Sequence, residues 1–223
     1  TRSQVTSVSG ISAANVSGLS GSEVDALLSG GMSITVYDTA ENRIDHTWSK
    51  GEAGEVSFSK YHYDSLGKLV FTVSGSSRSD VEGLTGITAA NVGGLSQSQI
   101  NAYLAAGMSV AVYDTVNSRV DYVWAKDDSA QISYTDYNYN SQGQLVYTVS
   151  GETRNEVEGL TGISAANAAN LTESDIDSIL SAGMSIAVYD TAENRVDHVW
   201  ARSDAGAATF TAYHYDDLGK LVY

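Results

Sequence analysis

The stretch Gly31-Met32-Ser-Ile-Thr-Val-Tyr37-Asp38-Thr-Ala-Glu-Asn-Arg43-Ile44-Asp45-His46-Thr-Trp48 decides the architecture, because it recurs twice. Met32 returns as Met108 and Met184, Tyr37 as Tyr113 and Tyr189, and Trp48 as Trp124 and Trp200. Each spacing is 76 residues, with no insertion anywhere. A fixed period of this kind is the mark of a repeat architecture. The chain therefore reads as three tandem units, 1–76, 77–152 and 153–223, the third lacking the end of its last strand. Over 71 aligned positions, units 1 and 3 are identical at 41, so all units must fold alike and meet their neighbours alike.

Within a unit the apolar period changes once. Ser20 with Glu23, Ser96 with Gln99 and Thr172 with Asp175 have the spacing of a capping box. Behind them Val24, Leu27 and Leu28 form an i, i+3, i+4 stripe, repeated as Ile100, Tyr103, Leu104 and as Ile176, Ile179, Leu180. This predicts a short helix, with Ser12 capping an earlier turn and Gly31, Gly107 and Gly183 at the C′ position. The second half alternates with period two. Strands are expected at 33–38, 44–48, 56–63 and 69–73, closing two hairpins, with Gly67, Gly143 and Gly219 at a tight-turn position of positive φ. The expected fold class is α+β: three units, each a short capped helical segment plus a four-stranded antiparallel sheet of two hairpins, stacked as an elongated array.

Composition limits the function classes. The chain has 12 Lys and Arg against 27 Asp and Glu, a net charge of -15. By unit the charge is -3, -5 and -7, which favours solubility and opposes nucleic acid or anionic membrane as a partner. No run of 18 apolar residues is present to cross a bilayer, so no membrane insertion is expected. Residues 1–5 lack the apolar core of a signal peptide. The absence of Cys excludes disulfides, thiol catalysis and cysteine zinc sites.

The second hairpin, Tyr61-His62-Tyr63-Asp64-Ser-Leu-Gly67-Lys68-Leu69, resembles the YD repeat of RHS-type bacterial surface and toxin proteins, Tyr-x-Tyr-Asp-x-x-Gly-(Arg/Lys)-Leu. Unit 3 keeps the pattern from Tyr213 to Leu221, while unit 2 carries Asn140 for the Asp and Gln144 for the basic residue. The first hairpin resembles a one-residue-longer cousin. The resemblance implies an extracellular bacterial β-hairpin repeat protein. The tandem, acidic, Cys-free organisation is similar to the stalks of large adhesins and surface filaments.

Chemistry-bearing residues are few. His46 and His62 have counterparts in His198 and His214, but unit 2 holds Tyr122 and Asn138 there, an exchange that no chemistry required of every unit would survive. No triad order, zinc-binding His pair or phosphate loop is present, and the chain is expected not to be an enzyme and to need no cofactor. Ca2+ is the one metal worth weighing, with Asp127-Asp128 and Asp216-Asp217 as acidic pairs, yet the D-x-D-x-D-G ligand pattern is missing. Arg43-Ile44-Asp45, present in all copies, suggests an ion pair that stabilises the turn or joins units.

The aromatics at equivalent positions are the candidate inter-unit or ligand surface: Tyr37, Trp48, Tyr61 and Tyr63; Tyr113, Trp124, Tyr137 and Tyr139; Tyr189, Trp200, Tyr213 and Tyr215. They either fill the groove between sheet and helix and the seams between units, or form a stacking platform for sugar rings. The expected function is a structural module of a secreted, surface-exposed bacterial stalk, fibre or filament that self-associates head to tail. Sheet edges would supply pairing between units. A multivalent adhesin, with a glycan or a surface protein as its partner, is the second reading. An RHS-like encapsulating shell segment is the third.

Overall fold

The computed structural model describes residues 9–222. Residues 1–5 and Tyr223, on which two of the expectations above rest, lie outside the described residues. By compactness the chain divides into two units, Thr1–Arg119 with Ala125–Ala130, and Val120–Trp124 with Gln131–Tyr223.

The first repeat runs from a 3-10 turn, Val16–Gly18, to helix α1, Gly21–Leu27, and then to strands β1, Met32–Asp38, β2, Arg43–Lys50, β3, Val56–Tyr63, and β4, Leu69–Gly75. The second adds helix α2, Arg78–Glu82, a 3-10 turn, Val92–Gly94, helix α3, Gln97–Tyr103, and strands β5, Met108–Asp114, β6, Arg119–Lys126, β7, Ile132–Tyr139, and β8, Leu145–Gly151. The third has helix α4, Arg154–Glu158, a 3-10 turn, Ala168–Asn170, helix α5, Glu173–Ile179, and strands β9, Ser185–Asp190, β10, Arg195–Arg202, and β11, Ala208–Ala212.

Both hairpins of repeats 1 and 2 and the first hairpin of repeat 3 lie where the alternation placed them. The second hairpin of repeat 3 keeps strand β11 and a single bridge, Tyr215 to Leu221, and the sheet is not divided into three. The strands form one antiparallel sheet of 11 in chain order. The four-stranded unit is therefore corrected, for a plain reason: the outer edge of β4 is an unsatisfied row of backbone donors and acceptors, and β5 satisfies it. Phe71 pairs with Val112, Thr72 with Ala111, Val73 with Val110 and Ser74 with Ser109. One period later Tyr147, Thr148, Val149 and Ser150 pair with Val188, Ala187, Ile186 and Ser185 in the same register.

The three capping boxes form as the spacing required. Ser20 accepts from the Glu23 amide while the Glu23 carboxylate accepts from the Ser20 amide at 2.8 Å, and Ser96/Gln99 and Thr172/Asp175 repeat this. Two local expectations need correction. Ser12 opens the earlier turn with its carbonyl, which accepts from the Asn15 and Val16 amides, but its hydroxyl caps no amide. Its N–H and hydroxyl donate to the Asn15 side chain, which donates in turn to the Gly10 carbonyl at 2.7 Å. Asn91 and Asn167 make the same loop clasp. Gly31, at φ +76°, is not C′ of α1, because the helix stops at Leu27 and the Gly31 amide donates to the Lys50 carbonyl, so the glycine starts the hairpin instead. Gly107 and Gly183 make the same bond to Lys126 and Arg202, so their C′ placement falls for the same reason.

α2 and α4 have no counterpart in the expected elements. Each is five residues long, with Ser77 and Thr153 as N-caps. Such short helices cannot persist alone and hold by packing. Val81 and Val157 are buried beneath them, close to Met108 at the start of β5 and Met184 just before β9. Gly75 and Gly151 make this close approach possible: a Cβ on Gly75 would lie 3.1 Å from Met108 Cγ and 3.3 Å from a Val81 methyl.

Candidate functional site

The pleat sorts the aromatics into two sets. On the helix-covered face, Trp48 pairs across the strands with Phe58 at a ring distance of 4.7 Å and an angle of 61°, beside His46 at 5.1 Å from Phe58. Trp124, Tyr134 and Tyr122 reproduce the cluster, as do Trp200, Phe210 and His198. Trp48 and Trp124 are fully buried, which places them in the groove between sheet and helix rather than on a surface. Their indole N–H groups and the Nε2 of His46 have no hydrogen-bond partner.

His46, His62 and His198 are parts of this packing, whereas His214 is exposed. His46 Nδ1 lies 2.7 Å from Asp45, which also pairs with Lys60 at 2.6 Å. Burial works to raise the Asp45 carboxyl, but the hydrogen bonds and charges of Lys60 and His46 hold it below the ordinary carboxylate range. His198 keeps the Asp197 contact at 2.7 Å. His62 stacks on Phe71 at 4.2 Å with the planes within 3° of parallel, and burial, aided by the Lys60 charge, pushes its imidazole below the usual value. In repeat 2 the place of Lys60 is taken by Asp136, raised by burial against a hydrogen bond from Asn138. A cluster that turns from cation to anion between repeats cannot present one recurring chemistry. Among the described residues, no three His, Asp or Glu side chains are placed to hold a metal ion.

The tyrosines form the second set, at the hairpin end of the other face. Tyr63 donates its hydroxyl to the Ile44 carbonyl at 2.8 Å, and Arg43 lies over its ring at 4.5 Å. Arg195 lies over Tyr215 at 4.3 Å. Arg43 thus acts on an aromatic ring and not as the expected ion pair, whereas Arg119 does approach Asp114 at 3.8 Å. Tyr37 is 57% exposed; Tyr61, Tyr113, Tyr137, Tyr189 and Tyr213 are half-buried. A polar cleft of about 240 Å3 opens here between Asp38, Arg43, Asp45, Tyr61 and Tyr63.

The Tyr-Asp turn has a physical basis at each position. Asp64 accepts from the Leu66 and Lys68 amides, and Gly67 stands at φ +76°, where a side chain would be strained. Asn140 accepts the equivalent pair of bonds, so the exchange in repeat 2 keeps the turn. The other exchange there also keeps its function. Lys68 donates to the Thr115 carbonyl in the first turn of the next repeat at 3.0 Å, and Gln144 donates to Thr191 at the same distance.

The seam residues escape sequence reasoning. Arg78 donates to the Ser17 and Leu19 carbonyls, lies over the Phe58 ring at 5.4 Å and pairs with Glu82. Arg154 lies over Tyr122 and Tyr134. Lys50, Lys126 and Arg202 each reach back from a strand end to the last carbonyls of the helix before it. The signals that could find them are the Arg at 78 and 154 and the Lys or Arg at 50, 126 and 202, each recurring with the 76-residue period.

No known protein family matches the chain. No curated protein matches it either. Among solved structures, the crystal structure of TcdB2-TccC3-TEV aligns with 88% of this chain at 13% identity and a TM-score of 0.19. The chain spans 11% of the length of that chain.

Proposed function

We propose that the chain is a structural repeat module, an element of a secreted bacterial stalk, fibre or filament whose repeats continue one another through the sheet. The observation that carries this reading is the identical four-pair register of β4 with β5 and β8 with β9, closed at the hairpin end by Lys68 to Thr115 and Gln144 to Thr191. Identical joints propagate one geometry from repeat to repeat, and the stability of such arrays grows with nearest-neighbour terms. The buried aromatic clusters then serve cohesion, and the local likeness of the Tyr63-Asp64 turn to YD repeats agrees with an extracellular hairpin protein.

The test joins two copies of the chain through Thr-Val-Ser-Gly-Glu, the sequence that follows Tyr147, and compares the joined chain with the single one by urea unfolding and electron microscopy. A particle of doubled length and a higher unfolding midpoint is expected. Two separate particles on a string, unfolding at the midpoint of the single chain, would overturn the reading. A glycan-binding role has one observation in its favour, the polar cleft flanked by Tyr61 and Tyr63. Binding on a glycan array that is lost in Tyr61→Ala would support it.

A further inference from the structure

We infer that the face of the sheet turned away from the helices is a flat platform for an extended, uncharged polysaccharide, held by Tyr37 and Tyr61 in repeat 1 and by Tyr189 and Tyr213 in repeat 3. The class of ligand rests on the glycan reading above, but the site is the open face and not the cleft at Tyr63.

The strand register lays this face out in rows. Thr35 pairs with Thr47, Thr47 with Ser59, Ser59 with Ser74 and Ser74 with Ser109, a line of hydroxyl side chains from β1 to β5. Their contacts place them on one side: the Thr47 hydroxyl donates to Thr35 at 3.4 Å, and the Ser59 and Ser74 hydroxyls lie 2.8 Å apart. One step closer to the hairpin turns, and on the same side by alternation, stand Tyr37, Tyr61, Thr72 and Ala111. Of these, Tyr61 pairs with Thr72 and Thr72 with Ala111. Repeat 3 has Ala187, Val199 and Thr211 in the first row, with Tyr189 and Tyr213 one step on. Every charged side chain of β1 to β5, from Asp38 to Asp114, lies outside these rows.

The chemistry of the rows selects the partner. On a chain of net charge -15, a face without ions gives a polycation nothing to pair with and leaves a neutral surface free to approach. Ser and Ala are depleted where proteins bind proteins, so a second copy of this chain fits the face poorly. A sugar polymer fits it well. The C–H groups on its ring faces stack on aromatic rings, and its hydroxyls exchange hydrogen bonds with Ser and Thr. The spacing agrees. Tyr37 on β1 and Tyr61 on β3 are two strands apart, about 9.4–9.8 Å at the usual strand separation. An extended β-linked chain, in which each ring is turned over relative to the last, presents the same ring face at nearly that interval. Tyr189 on β9 and Tyr213, just beyond β11, repeat the separation. Tyr37 is exposed and Tyr61, Tyr189 and Tyr213 are half-buried, so ring area is open to a ligand. The small residues beside them keep the face level, and a linear chain can lie across the strands.

The experiment measures depletion of the full chain from solution by microcrystalline cellulose and by chitin, with an alginate gel as the anionic control. Retention on at least one neutral polymer, unchanged in high salt, is expected, with none on alginate. Tyr61→Ala should weaken it about fivefold to tenfold, the worth of one stacked ring, and Tyr61→Trp should keep it. Thr35→Lys and Thr47→Lys put a charge in the hydroxyl row, away from the cleft, and each should abolish retention; circular dichroism establishes that both fold. Retention indifferent to Tyr61→Ala overturns the proposal. Retention lost in Tyr61→Ala but kept in both lysine variants puts the sugar in the cleft, which overturns the proposal and leaves the glycan reading standing. No retention on either neutral polymer, or retention that salt abolishes, overturns it too. In that case a glycan-array signal preserves the glycan reading, and silence on the array removes both.

Discussion

The Tyr63 hydroxyl donates to the Ile44 carbonyl across 19 residues at 2.8 Å, and Tyr139 to Val120 and Tyr215 to Val196 repeat the bond at the same distance. It ties the turn of the second hairpin to the start of the return strand of the first. Two motifs that recur together, Tyr-Asp and Arg-(Ile/Val)-Asp, are therefore one device. Tyr139→Phe should lower stability by about 1 kcal/mol, the typical net worth of a single hydrogen bond. Equilibrium urea unfolding measures it, and an unchanged midpoint would show that solvent replaces the phenol without loss.

Trp124 is buried in edge contact with Tyr134, and Trp124→Ala should cost about 3–5 kcal/mol, the range for emptying a large core site. Trp200→Ala should cost clearly less, because that ring is half-buried. Equal losses in thermal melts would contradict the graded cover of the three clusters.

Gly75→Ala and Gly151→Ala should each destabilise by about 1–3 kcal/mol through overpacking. The new methyl groups meet Met108 and Val81, or Met184 and Val157. The double variant Gly75→Ala with Met108→Ala should lose less than the sum of the two single losses, and a double-mutant cycle reads this coupling.

Asp45 of β2 and Asp136 of β7 respond to acid in opposite senses. Asp45 titrates lower folded than unfolded, so its stabilisation is present above the unfolded value and is lost as pH falls through the folded one. Asp136 titrates higher folded than unfolded, so the folded state binds its proton more readily and gains stability as pH falls through that raised value. At pH 7 Asp136→Asn should raise the melting temperature and Asp45→Asn should lower it. Melting curves at pH 7 and pH 4 check both signs, and the gap between each variant and the parent should narrow at the lower pH.

Much of this architecture is legible in the residues alone. The 76-residue period places both hairpins of repeats 1 and 2 and the first hairpin of repeat 3, and the residue types at Ser20/Glu23 and Gly67 dictate local bonds that form whatever surrounds them. What escapes are features whose cause lies a repeat away. α2 has too few apolar residues to announce itself, since Val81 alone is buried and its partner is Met108 of the next strand. The division into four-stranded sheets fails for a related reason: alternation fixes which face a residue takes, but the fate of an edge depends on what lies beside it. The aromatic candidates do form a recurring set, yet period two alone does not say that Trp48 turns inward and Tyr37 outward.

The identity of the two joints has a cost during synthesis. β4 and β8 offer nearly the same sequence to β5 and β9, which are nearly the same in turn, so β4 finds a second acceptable partner in β9, with a whole repeat looped out between them. Chains of like repeats are prone to this kind of misassembly. Exchanges such as His46 to Tyr122, Phe58 to Tyr134 and Lys60 to Asp136 leave each joint intact while giving neighbouring repeats different interiors. These exchanges lie outside the joint strands, and His198 and Phe210 return in repeat 3, so neighbouring repeats differ inside while their joints stay interchangeable.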